Sequence, residues 1–472
     1  MRRRFTLAWT CAVSLAVTVA CKTETGSQTL DGPVVAPSEE PAPARSEPEF
    51  ESVGGLRFYE YDVRFTNPLC KEYKYDPNTE VRSRGGDVLT AKPKDVFCTS
   101  SDSAASASRP ESPQFKLLSW INDPEAKEFF FTYLSFSNKV VMQAVCKAIQ
   151  ERDVKVTFVL DETTDMTLAQ QLLACQPASG LADRKPQLLT RGQVGGIGYA
   201  HNKTFIVNPG APTMKIAVSS GNMTSGIVLH HENWHFITLP SDTYFAQAHL
   251  CLVSAMKDAN ASSSTSKYTN YIKQCRSQIQ QQEETDIKVF FVPGEGFRAT
   301  QFITDGIKRA SNIRLAAHRF SYNKLISALK SEMNSSNPAK LEMVFDDDVY
   351  WAGQGEQVGD NAAHEYTNAM SLVNLGGDAR WMETNHAMHL LHHNKYIVFN
   401  MPESSQYKSA VFCGAGNFTG TAFSTNFENF YYVEIPSVVE AYNKQYDHVW
   451  NKLASHYKRL PKENVLPPGS GG

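Results

Sequence analysis

Aromatic and small residues alternate over 128–137 (EFFFTYLSFS), a pattern that predicts a buried strand. The period then changes. Over 138–153 (NKVVMQAVCKAIQERD) apolar residues recur at helical spacing behind Asn138, whose side chain suits a helix N-cap. Residues 155–161 (KVTFVLD) read as a strand ending on Asp161. The same order returns later in the chain. A strand is predicted over 313–321 (IRLAAHRFS), a helix over 323–333 (NKLISALKSEM), again opened by Asn-Lys, and a strand over 340–346 (KLEMVFD), ending on Asp346. Strands alternating with helices imply parallel β–α units in a sheet covered on both faces.

The wording repeats along with the order. FSNK at 136–139 is answered by FSYNK at 320–324, and HNKTFIVN at 201–208 by HNKYIVFN at 393–400. SSGNMTSG (219–226) and HENWHF (231–236) follow the first copy; GAGNFTG (414–420) and FENFYY (427–432) follow the second. Each half therefore reads His-x-Lys, then Gly-Asn, then Glu-Asn-aromatic. His201 precedes Asn222 by 21 residues and His393 precedes Asn417 by 24. The expectation is an α/β protein of two similar lobes, 56–285 and 286–472, related by an approximate two-fold axis. Each lobe would be a mixed, mostly parallel sheet flanked by helices. The run Asp346-Asp347-Asp348 invites a metal reading, but its match to Asp161 favours a strand-end turn.

Side chains two apart on a strand share a face, so His201 and Lys203 point together, as do His393 and Lys395. Each half offers one imidazole, one ammonium, one amide (Asn222, Asn417) and one carboxylate to orient the imidazole (Glu232, Glu428). Two cations and two amides suit a phosphodiester, whose oxygens gain charge as displacement proceeds. Two imidazoles can divide the remaining work. One attacks phosphorus; the other protonates the leaving oxygen and then deprotonates water. This chemistry needs no metal or other cofactor.

These residues resemble the phospholipase D superfamily, whose signature is His-x-Lys-x4-Asp followed by a Gly-Ser/Gly-x-Asn element, written twice in two-lobed members. The resemblance covers most of 115–455. It implies two phospholipase D-like lobes, a phosphohistidine intermediate and phosphodiester substrates ranging from lipids to nucleic acids. By that resemblance His201 is the nucleophile and His393 the general acid. Lys203, Lys395, Asn222 and Asn417 hold the phosphoryl oxygens. One departure is plain: the motif Asp is Asn208 in the first copy and Asn400 in the second. Tyrosyl-DNA phosphodiesterases of the superfamily also lack it.

Other features bear on substrate and location. His386, His389, His392 and His393 are dense enough to suggest zinc, but no Cys or carboxylate cluster flanks them and the first half has no counterpart. A cleft-lining loop is the better reading. His318, beside Arg319, reads as a core or edge residue near the second copy. Phe418-Thr419 after the second Gly-Asn resembles nuclease-like members. The segments that would read a headgroup, within 177–200 and 350–392, carry no recognisable code.

The N-terminus has a basic tip, Met1-Arg2-Arg3-Arg4, a short apolar run over 5–20, and Thr18-Val19-Ala20-Cys21. That is the form of a bacterial lipoprotein signal (1–20), with Cys21 as the lipidated first residue. Residues 21–55, rich in Pro, Ser, Glu and Ala, read as a tether that cannot bury a core. Loss of the signal leaves 43 basic side chains against 49 acidic ones, which does not encode broad capture of nucleic acid. The expectation is a monomer in the bacterial envelope, lipid-anchored and favouring the outer membrane, with phospholipid as substrate and the membrane surface as partner. A nuclease, a cardiolipin-synthase-type transferase and a non-catalytic binding relative are the alternatives. Sequence proximity couples Cys70 with Cys98, Cys146 with Cys175 and Cys251 with Cys275, against the alternative of buried free thiols, and leaves Cys413 over.

Overall fold

The computed structural model describes residues 54–69, 100–353, 363–382 and 391–456, and four short strands between 71 and 97. The signal-like segment, Cys21, nearly all of the tether, the Cys70–Cys98 couple, His386 and His389 lie outside the described residues. Both halves belong to a single unit, Glu49–Gly472. Among the described residues no helix is long and apolar enough to cross a membrane.

The first sheet is built from β1 (Glu60–Phe65), β6 (Glu128–Tyr133), β7 (Lys155–Asp161), β8 (Gln187–Arg191), β9 (Thr204–Val207), β10 (Thr213–Ser219) and β11 (Asn233–Pro240). Between β1 and β6 lie two small antiparallel pairs, β2 (Lys71–Tyr73) with β5 (Asp95–Phe97) and β3 (Val81–Arg82) with β4 (Val88–Leu89). The second sheet takes β12 (Ile287–Val292), β13 (Asn312–Ala317), β14 (Lys340–Asp346), β15 (Asp378–Met382), β16 (Lys395–Asn400), β17 (Ala410–Gly414), β18 (Glu428–Val433) and β19 (Ala454–Ser455). The strand orders are β1-β11-β10-β9-β6-β7-β8 and β12-β18-β17-β16-β13-β14-β15-β19. Apart from the added β19, the second order repeats the first strand for strand.

The sheets are mixed, but the expectation that they are mostly parallel is wrong. Only β6–β7–β8 and β13–β14–β15 pair in parallel; every other neighbour is antiparallel. The helices that the sequence pattern revealed, Lys139–Arg152 and Asn323–Met333, are the crossovers of the β6–β7 and β13–β14 pairs. The strands carrying the repeated phrases follow one another with no such crossover helix. Close neighbours in sequence then pair by turning back, which makes antiparallel ladders.

Both faces of each sheet are buried, which explains the aromatic runs. In β6, Phe129 and Phe131 face a cluster under the outer helices, where Asn138 caps Lys139–Arg152 by accepting from the Val141 N–H. Phe130, between them, faces a central cluster. That cluster joins one face of both sheets, through Ile206 and Ile237 on one side and Val398 and Val433 on the other. It also takes in the helices Tyr244–Lys257 and Pro436–His448, which follow the last ladder strand of each half. Cys146–Cys175 and Cys251–Cys275 are disulfides, and Cys413 is a buried thiol.

Candidate active site

The two halves meet through a matched set of backbone bonds. The His201 N–H donates to the Phe427 carbonyl and the His393 N–H to the His231 carbonyl, both at 2.9 Å. Ala200 bridges Phe427 and His231 bridges His392, both in parallel sense. The His-x-Lys tripeptide therefore sits at the entrance to β9 or β16 and not deep within the strand. A strand-end carboxylate fixes each entrance: Asp161 accepts from the Ala200 N–H at 2.6 Å, and Asp346 from the His392 N–H at 2.9 Å. Asp161 also accepts from Thr163 N and Asp346 from Asp348 N, closing a turn after the strand. Asp346, Asp347 and Asp348 lie close enough to share an ion, yet Asp346 is already engaged in this turn. Its role parallels that of Asp161, as the repeat implied.

The carboxylates cross between halves. His201 Nδ1 donates to Glu428 at 2.8 Å, while His393 Nδ1 lies 3.2 Å from Glu232. The second residue of each Glu-Asn element crosses too: Asn429 accepts from the Lys203 N–H at 2.8 Å and Asn233 from the Lys395 N–H at 3.4 Å. Gly221 leaves room for this arrangement, since a Cβ there would lie 1.7 Å from Glu232 Oε2.

The set is almost dry. His201 and His393 are 8% and 7% exposed, and Lys203, Lys395, Glu232 and Glu428 no more than 1%. Burial pushes the Lys203 ammonium down to about 7, against the opposing pull of Glu428 and Glu232. Burial also drives Lys395 well below the usual lysine range, and the Lys203 charge adds to the effect. Both imidazoles are pushed down chiefly by burial; Lys395 depresses His201 and Lys203 depresses His393, so each imidazole feels the other half's lysine. Lys203 Nζ donates to His201 Nε2 at 2.9 Å, whereas Lys395 Nζ donates to the His393 carbonyl at 2.9 Å and the Ser220 carbonyl at 3.3 Å. Asn222 and Asn417 are half-buried, and the amide oxygen of each has no hydrogen-bond partner.

Residues 303–450 match the family model described as "Cardiolipin synthase, PLD-like domain". Among solved structures, phosphatidylserine synthase from Haemophilus influenzae Rd KW20 is similar over 73% of this chain and 85% of its own, at 13% identity and a TM-score of 0.50. This is the phospholipase D superfamily fold. Polyphosphate kinase from Porphyromonas gingivalis is similar over 74% of this chain at 13% identity and a TM-score of 0.46; the match spans 47% of that enzyme. Yeast tyrosyl-DNA phosphodiesterase is similar over 67% of this chain and 85% of its own, at 11% identity and a TM-score of 0.43. No curated protein matches at the level of sequence.

The departures from the phospholipase D motif lie away from the imidazoles. Asn208 and Asn400 stand at the far ends of the strands that the histidines open. Asn208 accepts from the Lys127 and Glu128 N–H groups at 2.7 and 3.1 Å and donates to the Glu125 carbonyl at 3.0 Å. Asn400 donates to Asn312 at 2.8 Å and exchanges amide bonds with Asn443. An amide serves both places because each needs a donor as well as an acceptor.

Sequence reasoning missed three features beside this paired set. Asp161 and Asp346 hold the strand entrances, a role visible in the sequence only as a repeated strand-end Asp. His318, read as a core or edge residue, has its ring centroid 4.9 Å from that of His393. His230 lies 3.3 Å from Glu232 through Nδ1; at the matching position, two residues before Glu428, Asn426 donates to that carboxylate at 3.1 Å. Of the four-histidine run, His392 instead packs against Met382 in the protein interior, its imidazole lowered to about 4 chiefly by burial.

Proposed function

We propose that the protein cleaves phosphodiesters through a phosphohistidine and that phospholipids are its substrates. The observation that carries this reading is the pair of buried imidazoles, each beside a carboxylate from the opposite half and a lysine from its own. With Nδ1–H held by Glu428, His201 presents its Nε2 lone pair for attack. That lone pair accepts from Lys203. A phosphoryl oxygen that takes over the Lys203 ammonium frees Nε2 for phosphorus. The P–N bond forms, the P–O bond to the leaving alcohol breaks, and His393 gives that oxygen a proton. Water then loses a proton to His393, attacks phosphorus and releases His201. Burial depresses His393, so its acid form depends on the negative charge that the substrate brings.

The lipid reading rests on the expected Cys21 anchor, which would hold the enzyme beside a bilayer, and on the fold-level likeness to a phosphatidylserine synthase. The same likeness, with the cardiolipin synthase family model, supports a second reading in which an alcohol replaces water and the phosphatidyl group is transferred. Intact protein would be incubated with mixed phospholipid vesicles and with DNA, with and without chelator and with added glycerol. Release of phosphatidic acid, with a phosphoprotein trapped in wild type but absent from His201→Ala, is the expected result. A phosphoprotein that persists in His201→Ala would move the nucleophile to His393. Cleavage of DNA with intact vesicles would replace the lipid reading by the nuclease one. Cys21→Ser should release the protein from the membrane fraction; unchanged sedimentation would mean that another feature anchors it.

A further inference from the structure

We propose that His230, Glu232 and His393 form an inhibitory site for a zinc-class divalent cation, set into one half of the catalytic pair. The proposal rests on the assignment of His393 to catalysis only for its consequence, inhibition; the binding itself stands on geometry.

The two halves use their carboxylates differently. Glu428 is fully engaged: His201 Nδ1 donates to one oxygen at 2.8 Å and Asn426 to the other at 3.1 Å. Glu232 is 0% exposed, yet neither of its oxygens has a hydrogen-bond partner, and neither does His393 Nδ1. His393 Nδ1 and His230 Nδ1 instead stand 3.2 and 3.3 Å from the same oxygen, Oε1. Buried carboxylate oxygens rarely go unsatisfied, so the unpartnered Glu232 points to a ligand.

The distances say what kind of partner fits. Zinc bonds to imidazole nitrogen and carboxylate oxygen at about 2.0–2.2 Å, so neighbouring ligands of a tetrahedral site lie about 3.3 Å apart. Two of the three ligand edges already have that length. The ligand atoms of all three residues lie within 4.8 Å of one another. Glycines make room for two of the ligands: a Cβ on Gly221 would lie 1.7 Å from Glu232 Oε2, and one on Gly226 would lie 2.4 Å from His230 Nδ1. Two imidazoles and one carboxylate leave a fourth position for water. A nitrogen-rich set of this kind selects zinc over magnesium or calcium, which favour all-oxygen ligands.

Coordination through Nδ1 places the His393 proton on Nε2. That nitrogen can then no longer accept the proton of the attacking water, and Glu232 no longer serves the imidazole. Turnover stops without any change in the fold. The first half cannot bind an ion in this way, because Asn426 occupies the place of His230.

The test uses full-length protein stripped with chelator. Calorimetric titration with zinc chloride should show about one tight site per chain, and magnesium chloride none. Equimolar zinc should abolish phosphodiester turnover, and chelator should restore it. His230→Asn, which copies the residue of the other half, should bind zinc at least about tenfold more weakly, and the turnover it shows should resist inhibition by zinc. Its folding is checked by its melting temperature without metal; in wild type alone, zinc should raise that temperature. Absence of a tight site in wild type, or zinc binding unchanged in His230→Asn, would overturn the proposal. If stripped protein turned over no phosphodiester but still bound one zinc through His230, the metal site would stand and the catalytic reading would fall.

Discussion

Replacing Lys203 with methionine should stabilise the empty protein while destroying its activity. Lys203 is fully buried, and its ammonium is lowered from 10.5 to about 7 because burial outweighs the attraction of Glu428 and Glu232. At about 1.4 kcal/mol per unit, holding the charge in the folded state costs roughly 5 kcal/mol. Methionine has a similar length and carries no charge, but it leaves His201 Nε2 without its donor, at a cost of about 1–3 kcal/mol. The net gain is then roughly 2–4 kcal/mol at pH 6. The pH dependence has a definite sign. A lysine with a depressed folded value binds fewer protons folded than unfolded between about 7 and 10.5, so wild-type stability rises with pH across that window. The advantage of the variant is therefore complete below pH 7 and shrinks steadily above it. Guanidinium unfolding with the disulfides intact, at pH 6, 8 and 9.5, measures the difference. A variant less stable than wild type at pH 6, or a gain that does not change with pH, would refute the account of a charge held at a cost for function. Turnover should fall by about 10²–10³, the usual loss when one stabilising contact to a transition-state oxygen is removed.

Sulfate, a dianion throughout the neutral range, should bind competitively at the site, and its affinity should fall about tenfold per pH unit above pH 7 as Lys203 loses its proton; competition measured at pH 6, 7, 8 and 9 would show this, and a flat profile would contradict it. Gly221→Ala places a methyl group where Glu232 now lies, so turnover should drop by about 10²–10⁴ with circular dichroism unchanged; near-normal activity would mean that Glu232 does not serve His393. Reduction should destabilise the protein by about 3–4 kcal/mol per disulfide, given closed spans of 29 and 24 residues. The melting temperature with and without reductant checks this, and an identical melt would show that the bonds do not constrain the unfolded chain.

Much of the fold was legible because its signals are local. The helices over 139–152 and 323–333 and the strands ending on Asp161 and Asp346 follow from periodicity within short windows. The duplication was legible because two long stretches share one wording, and the sheet orders repeat accordingly. The antiparallel majority was not legible. Whether β9, β10 and β11 turn back or cross over depends on the short connections between them, and the apolar pattern of a strand buried on both faces is the same either way.

The site divides along the same line. The chemical inventory is written in the residues themselves: His201, Lys203, Asn222 and Glu232, matched by His393, Lys395, Asn417 and Glu428. Residue type and repetition suffice for that. Which carboxylate lies beside which imidazole follows from the fold alone. His201 and its partner Glu428 stand 227 residues apart, and no local pattern records that the entrance of one sheet is bridged to the Glu-Asn segment of the other. The same crossing brings His230 and Glu232 to His393, a trio that a search for flanking metal ligands cannot find. The lowering of Lys203 to about 7 is likewise a property of the neighbours that exclude water from it, and those neighbours come from both halves of the chain.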